Sequence, residues 1–158
     1  MQNSIPESPR AHILLVEKNR GALAFLETML CWKGYQVTIA ADGLDGLEKF
    51  RLGQFNLIFT NLSTPRISGW ELGRIIKSSP SSVPVALITG LDFDTRPDHS
   101  PFDAIIPEPP PFDELECMVN SLIECRNGGA VAANSAESVP LGGMQVMSVP
   151  LPGYSDKK

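Results

Sequence analysis

Histidine and cysteine are scarce: the 158-residue chain holds two of the first and three of the second. His12 and His99 lie far apart, with no acid or cysteine at ligand spacing, so no metal centre of that kind is predicted. Cys31, Cys117 and Cys125 are odd in number, at spacings that fit neither a zinc module nor a disulfide framework, and they read as reduced thiols on helices. Runs or stripes of Lys and Arg are missing, which removes the electrostatic footprint of a nucleic-acid binder. Long apolar runs are missing too. The stretch from Ala11 to Val16, behind the polar start MQNSIPESPR, is too short for a signal-peptide core or a membrane span. A cytoplasmic protein that binds neither membrane nor nucleic acid is expected. Glycine-rich phosphate loops, nucleophile elbows and the zinc-binding HExxH pattern are absent, so an enzyme is not expected.

The apolar content is ample, at 42% of residues against 20% charged, enough for one ordinary core in one domain. Charge is unevenly spread. Residues 1–88 carry nine bases and seven acids, residues 89–126 two bases and nine acids, and residues 127–158 balance. From Asn127 the sequence is rich in Gly, Ser and Pro with no apolar period. The predicted organisation is a flexible start over 1–10, one domain over 11–126 and a disordered tail over 127–158.

Within the domain, short apolar runs alternate with amphipathic stretches. HILLV at 12–16, YQVTIA at 35–40, NLIFT at 56–60, VPVALI at 83–88 and a short run at 103–106 read as strands. Leu23, Leu26, Met29, Leu30 and Lys33 recur at helical steps, and Gly34 suits a left-handed stop. Asp42 caps a helix carrying Leu44, Leu47 and Phe50, and Ser68 with Glu71 forms a capping box before the next. Phe112, Leu115, Met118, Val119, Leu122 and Ile123 make the stripe of a last helix, with Pro111 in its first turn. Such alternation predicts an open α/β sheet with parallel strands and right-handed crossovers. Ligands in such folds sit beyond the carboxyl ends of the strands, here at 17–19, 61–69, 89–90 and 107–111.

The segments ILLVEKN, NLIFTNLSTPRISGWEL, VALITG and FDAIIPEPPPFDEL stand in the order and nearly the spacing of the receiver domain of two-component response regulators. From about His12 to Cys125 the chain resembles that family. The resemblance implies a flavodoxin-like, doubly wound sheet of five strands in the order 2-1-3-4-5. It also implies phosphoryl transfer to an aspartate after the third strand, a Mg²⁺ held with two acids after the first, a Thr or Ser after the fourth and a Lys after the fifth.

At those positions stand Asn61 for the phosphoacceptor, Glu17 and Lys18 for the acidic pair, Thr89 for the hydroxyl and Glu108 for the lysine. An amide oxygen is a poor nucleophile on which no acyl phosphate forms as on a carboxylate. Mg²⁺, a hard cation that wants charged oxygens, should bind weakly or not at all, and no cofactor is expected. Lys18 either pairs with Glu17 or Glu108 in place of the cation, or both substitutions are solvated rim charges.

Pro97 and Pro101 fall where the family has its fourth helix, which should be reduced to a turn, and Ile105 replaces the aromatic residue often found on the fifth strand. Trp32 and Trp70 could anchor a partner, but the expected reading is packing over a helix. The expected function is a stand-alone, phosphorylation-independent receiver-like interaction module of a phosphorelay. Its partners would be a histidine kinase, another response regulator or an effector. Two alternatives stay open: a regulator modified at Ser63, Thr60 or Thr64, and a small-ligand binder on a flavodoxin-like fold.

Overall fold

The computed structural model describes residues 10–90 and 101–126. The order of elements is β1 (His12–Val16), α1 (Arg20–Trp32), β2 (Gln36–Ala40), α2 (Gly43–Leu52), β3 (Leu57–Thr60), α3 (Gly69–Ser78), β4 (Val85–Thr89), β5 (Ala104–Pro107) and α4 (Phe112–Arg126). The strands form one parallel sheet in the order β2-β1-β3-β4-β5. This is the predicted flavodoxin-like topology.

The inner strands β3 and β4 are buried at every residue, which is why their sequences, LIFT and VALIT, are continuous apolar runs. Their side chains feed two cores. Leu26, Met29 and Leu30 of α1 and Leu115, Met118 and Val119 of α4 close one face of the sheet over Ile13, Leu15, Leu57 and Phe59. Leu47 of α2 with Leu72 and Ile76 of α3 close the other over Leu14, Val16, Ile58 and Leu87.

The helix signals act as read. Asp42 accepts from Asp45 N, the Ser68–Glu71 capping box is formed, and Gly34 has φ +92° at the end of α1. The element edges differ slightly. β4 starts at Val85, not Val83, because Pro84 has no N–H to give the ladder, while its carbonyl still accepts from Ile58 N at 3.0 Å. Pro111 precedes α4 instead of lying in its first turn, and its carbonyl accepts the N–H groups of Glu114 and Leu115. Trp70 does pack, edge-on to Phe102. Trp32 does not: it is 75% exposed, being the last residue of α1, with Phe112 on one side of its ring at 5.5 Å. The cysteines on α1 and α4 are free thiols, as expected. The readings for residues 1–9, for the fourth-helix region at 91–100, and for the tail at 127–158 fall outside the described residues.

The loop from Asn61 to Ser68 is held by close backbone approach. Gly69 N donates to Leu62 O at 3.0 Å, and a Cβ at Gly69 would stand 2.1 Å from Asn61 O. Gly69→Ala should therefore lower the unfolding free energy by about 3 kcal/mol, at the upper end of overpacking costs. Urea midpoints at unchanged slope would measure it, with Gly90→Ala as control, since there the nearest atom is 3.8 Å away.

Candidate functional site

Parallel register brings the carboxyl ends of β1, β3, β4 and β5 to one edge, and with them Glu17, Asn61, Thr89 and Glu108. Glu17 follows the buried apolar run Ile13, Leu14, Leu15, Val16 and is itself only 2% exposed. A buried carboxylate is costly unless its oxygens are hydrogen-bonded. Both are: Oε1 accepts from Asn19 N at 2.7 Å, and Oε2 accepts from Asn61 Nδ2 at 2.8 Å. The same Asn61 side chain accepts at Oδ1 from Ser63 N, at 3.2 Å. Its amide is thus used at both ends.

Asn19 does two things. Besides its N–H on Glu17, its Oδ1 caps α1 by accepting from Ala22 N at 3.0 Å. Sequence reading placed 17–19 at the ligand edge without reading Asn19 as a cap, although an Asn just before an apolar helical period is a recognisable cap signal.

Of the two readings left open for Lys18, the rim charge is the one formed: it pairs with neither Glu17 nor Glu108, and its exposed Nζ donates to Ser63 Oγ at 3.0 Å, across the loop. Residue 18 turns outward where the chain leaves the sheet: β1 ends at Val16, Glu17 is still buried, and Lys18 stands in the bend before α1, exposed. Glu108 N donates to Thr89 O at 3.2 Å, continuing the β4–β5 ladder, and Thr89 is buried. Glu108 itself is half-buried. Burial, and next the negative charge of Glu17, push its carboxyl above the ordinary glutamate range.

Further out, Arg66 adopts φ 66° and donates to Asp42 Oδ2 at 2.5 Å, joining the loop after β3 to the cap of α2. That hydrogen bond, with Arg66's charge, holds the Asp42 carboxyl below the usual range. Thr64 Oγ1 donates to Ile67 O at 2.6 Å within the same loop.

For Mg²⁺, which the resemblance implies, the donors do not fit. The edge offers one buried carboxylate with both oxygens already engaged, the half-buried Glu108 carboxyl, a neutral amide, and an ammonium on the rim. A near-octahedral hard cation wants several charged oxygens. Among the described residues no group of three or more His, Cys, Asp or Glu is placed to hold a metal ion. Two clefts, of about 430 and 390 Å³, lie elsewhere, one along α3 at Glu71 and Arg74, the other near Phe50 and Val83. Neither is lined by Glu17, Asn61, Thr89 or Glu108.

Residues 13–97 match the response regulator receiver domain. The chain belongs to that family. This receiver is 32% identical over 146 residues to the response regulator ArlR of Staphylococcus aureus, covering 79% of the chain and 65% of that protein. It is 28% identical over 126 residues to the transcriptional regulatory protein CusR of Escherichia coli, covering 78% and 55%. The sensor histidine kinase AtsR of Burkholderia thailandensis is 31% identical over 117 residues, covering 70% of the chain and 19% of the kinase. The chain thus spans less than two thirds of the length of these relatives. In fold it is similar to the receiver domain of the Francisella response regulator 1452, with TM-score 0.67 and 23% identity over 73% of this chain and 98% of that one. It is also similar to the response regulator TrrA of Thermotoga maritima, solved in complex with Mg²⁺ and BeF, with TM-score 0.65 and 28% identity over 70% and 97%. Receiver domains of this family are generally non-enzymatic signalling modules. Among the described residues no helix is long and apolar enough to cross a membrane.

Two outcomes follow from this geometry. Asn61→Asp replaces a donor by a carboxylate oxygen facing Glu17 Oε2, and should cost about 1–3 kcal/mol at neutral pH. The deficit should shrink on acidification, as a proton between the two oxygens restores the hydrogen bond, which thermal melts at pH 7 and pH 4 would show. Glu108 behaves in the opposite sense to a salt-bridged acid: its raised carboxyl binds its proton more tightly folded than unfolded. Its contribution is therefore highest below the ordinary carboxylate range, and is lost as pH rises from there through the raised value. Glu108→Gln should stabilise the receiver at pH 7 by less than about 1 kcal/mol, solvent screening being strong at a half-buried site, and should make no difference in acid.

Proposed function

We propose that this receiver is a phosphorylation-independent interaction module of a phosphorelay, working by binding and not as an enzyme. Asn61 stands at the phosphoacceptor position, Glu17 and Lys18 at the acidic-pair positions, and Thr89 and Glu108 at the phosphoryl-contact positions. The observation that carries this reading is the Asn61–Glu17 hydrogen bond at 2.8 Å, in which a neutral amide satisfies the buried carboxylate that would otherwise call for a cation. Mg²⁺ affinity is weak or lost on this reading. The module spans residues 11–126, and its partners are a histidine kinase, another response regulator or an effector. The match to a segment of a sensor kinase and to segments of response regulators supports that partner class.

One alternative has a specific observation in its favour. Of the three nearby hydroxyls, Thr60 and Thr64 are buried, whereas Ser63 is exposed with Lys18 Nζ 3.0 Å from its oxygen. A kinase that modifies this loop would find Ser63, and Lys18 would face the new charge.

Incubation with acetyl phosphate and Mg²⁺, followed by intact mass measurement, should leave the mass unchanged, and beryllofluoride should not alter the Trp fluorescence. A gain of one phosphoryl group that hydroxylamine removes would sink the proposal. A gain that resists hydroxylamine and maps to Ser63 would favour the alternative.

A further inference from the structure

Surface helices ordinarily show charge to solvent. Here α2 does so through Glu48 and Arg51, α3 through Glu71, Arg74 and Lys77, and α4 through Asp113 and Glu124. The outward arc of α1 carries none. At 100° per residue, Gly21, Ala24, Phe25, Thr28, Cys31 and Trp32 share an arc of about 120°, and all six are exposed. The charged residues of α1 lie off this arc: Arg20 is its first residue, and the half-buried Glu27 sits on the flank. Phe25 is 51% and Trp32 75% exposed, and beside Trp32 the ring of Phe112, itself 40% exposed, extends the apolar surface onto α4, with the Lys33 ammonium 4.1 Å over that ring at the edge of the patch.

We propose that this face of α1 is a two-fold interface between two copies of this chain. Two features select a second copy as the occupant. The first is size complementarity about Thr28. An antiparallel pair of α1 helices with its dyad there sets Trp32 of one copy over Ala24 of the other, and Phe25 over Cys31, so that large faces small on both sides of the axis. The second is charge. A two-fold axis sets any charged residue lying on it against its own copy, and the arc about Thr28 has none to set there, Arg20 and Lys33 lying at its ends. The three exposed aromatics and the small residues between them offer on the order of 500 Å² per copy. Two copies then bury about 1,000 Å², at the low end for a specific contact and short of the roughly 1,600 Å² of a standard one. The dimer is accordingly weak and governed by concentration, with a dissociation constant in the micromolar to submillimolar range. The chemistry at Asn61 has no part in it.

Sedimentation velocity of the full chain, in reducing buffer from about 1 to 500 μM, should show mass rising from monomer towards dimer over the weak-contact range. Thr28→Arg sets two like charges at the dyad, and Trp32→Glu removes the largest knob. Each should weaken association at least tenfold, by about 1.4 kcal/mol or more, with circular dichroism and melting temperature unchanged. A monomer at every concentration overturns the proposal, including one whose Trp32 is shielded from acrylamide because another part of the chain covers it. A dimer that persists in both variants overturns it too.

Discussion

A carboxylate buried at the end of β1 sets the terms for everything around it. Glu17 is 2% exposed, and an isolated ionised carboxyl there would cost several kcal/mol. Where relatives surround such an acid with further acids, only a cation can balance the group. Among the described residues, balance here comes from hydrogen bonding, through the Asn61 amide and the Asn19 N–H. The residue at the phosphoacceptor position is the same residue that satisfies the buried Glu17 carboxylate. On the proposed reading, loss of the acceptor and loss of the need for metal are one substitution seen from two sides.

That hydrogen bond depends in turn on a loop that has little room to move. Asn61 is the first residue after β3, and its neighbours are tied down in sequence: Gly69 packs against the Asn61 carbonyl, Thr64 bonds Ile67 O, and Pro65 O accepts from Gly43 N at 3.3 Å. Gly43 has no alternative side chain, since a Cβ there would lie 1.8 Å from Ile67 O. Arg66, reaching to Asp42, ties the same loop to α2 from outside. The amide at 61 is therefore presented to Glu17 by packing that involves β3, α2 and α3 together, so the interaction is preorganised.

Most of the fold was legible in sequence because its signals are local. Continuous apolar runs mark buried strands, and Asp42, Ser68 with Glu71, and Gly34 mark helix ends by chemistry confined to three or four residues. The chain order of Glu17, Asn61, Thr89 and Glu108 was enough to gather them at one edge, because parallel strands put every carboxyl end on the same side. What local signals do not carry is direction at a rim. Lys18 has a long, flexible side chain, and whether it meets Glu108 or Ser63 depends on how a loop 45 residues later is folded. Trp32 failed for a related reason. As the last residue of α1 it belongs to the helical period and yet lies beyond the sheet that the period covers.

The charges at positions 18 and 108 look reciprocal in sequence, as if a base had moved from the fifth strand to the first. Physically they are not. Lys18 is spent on a rim contact with Ser63, an exposed hydrogen bond worth well under about 1 kcal/mol. Glu108 is left facing the negative charge of Glu17 from a half-buried position, and the consequence is a carboxyl that holds its proton above the ordinary range. Among the described residues the edge presents two acids and no inward base, which on the proposed reading disfavours a phosphoryl group there. Asn19 stands between this edge and the rest of the surface, holding Glu17 with its backbone and the first turn of α1 with its side chain. The helix that begins at that residue is also the one whose outer face carries no charge, so the features that set this receiver apart lie at the edge of the sheet and along one adjoining helix.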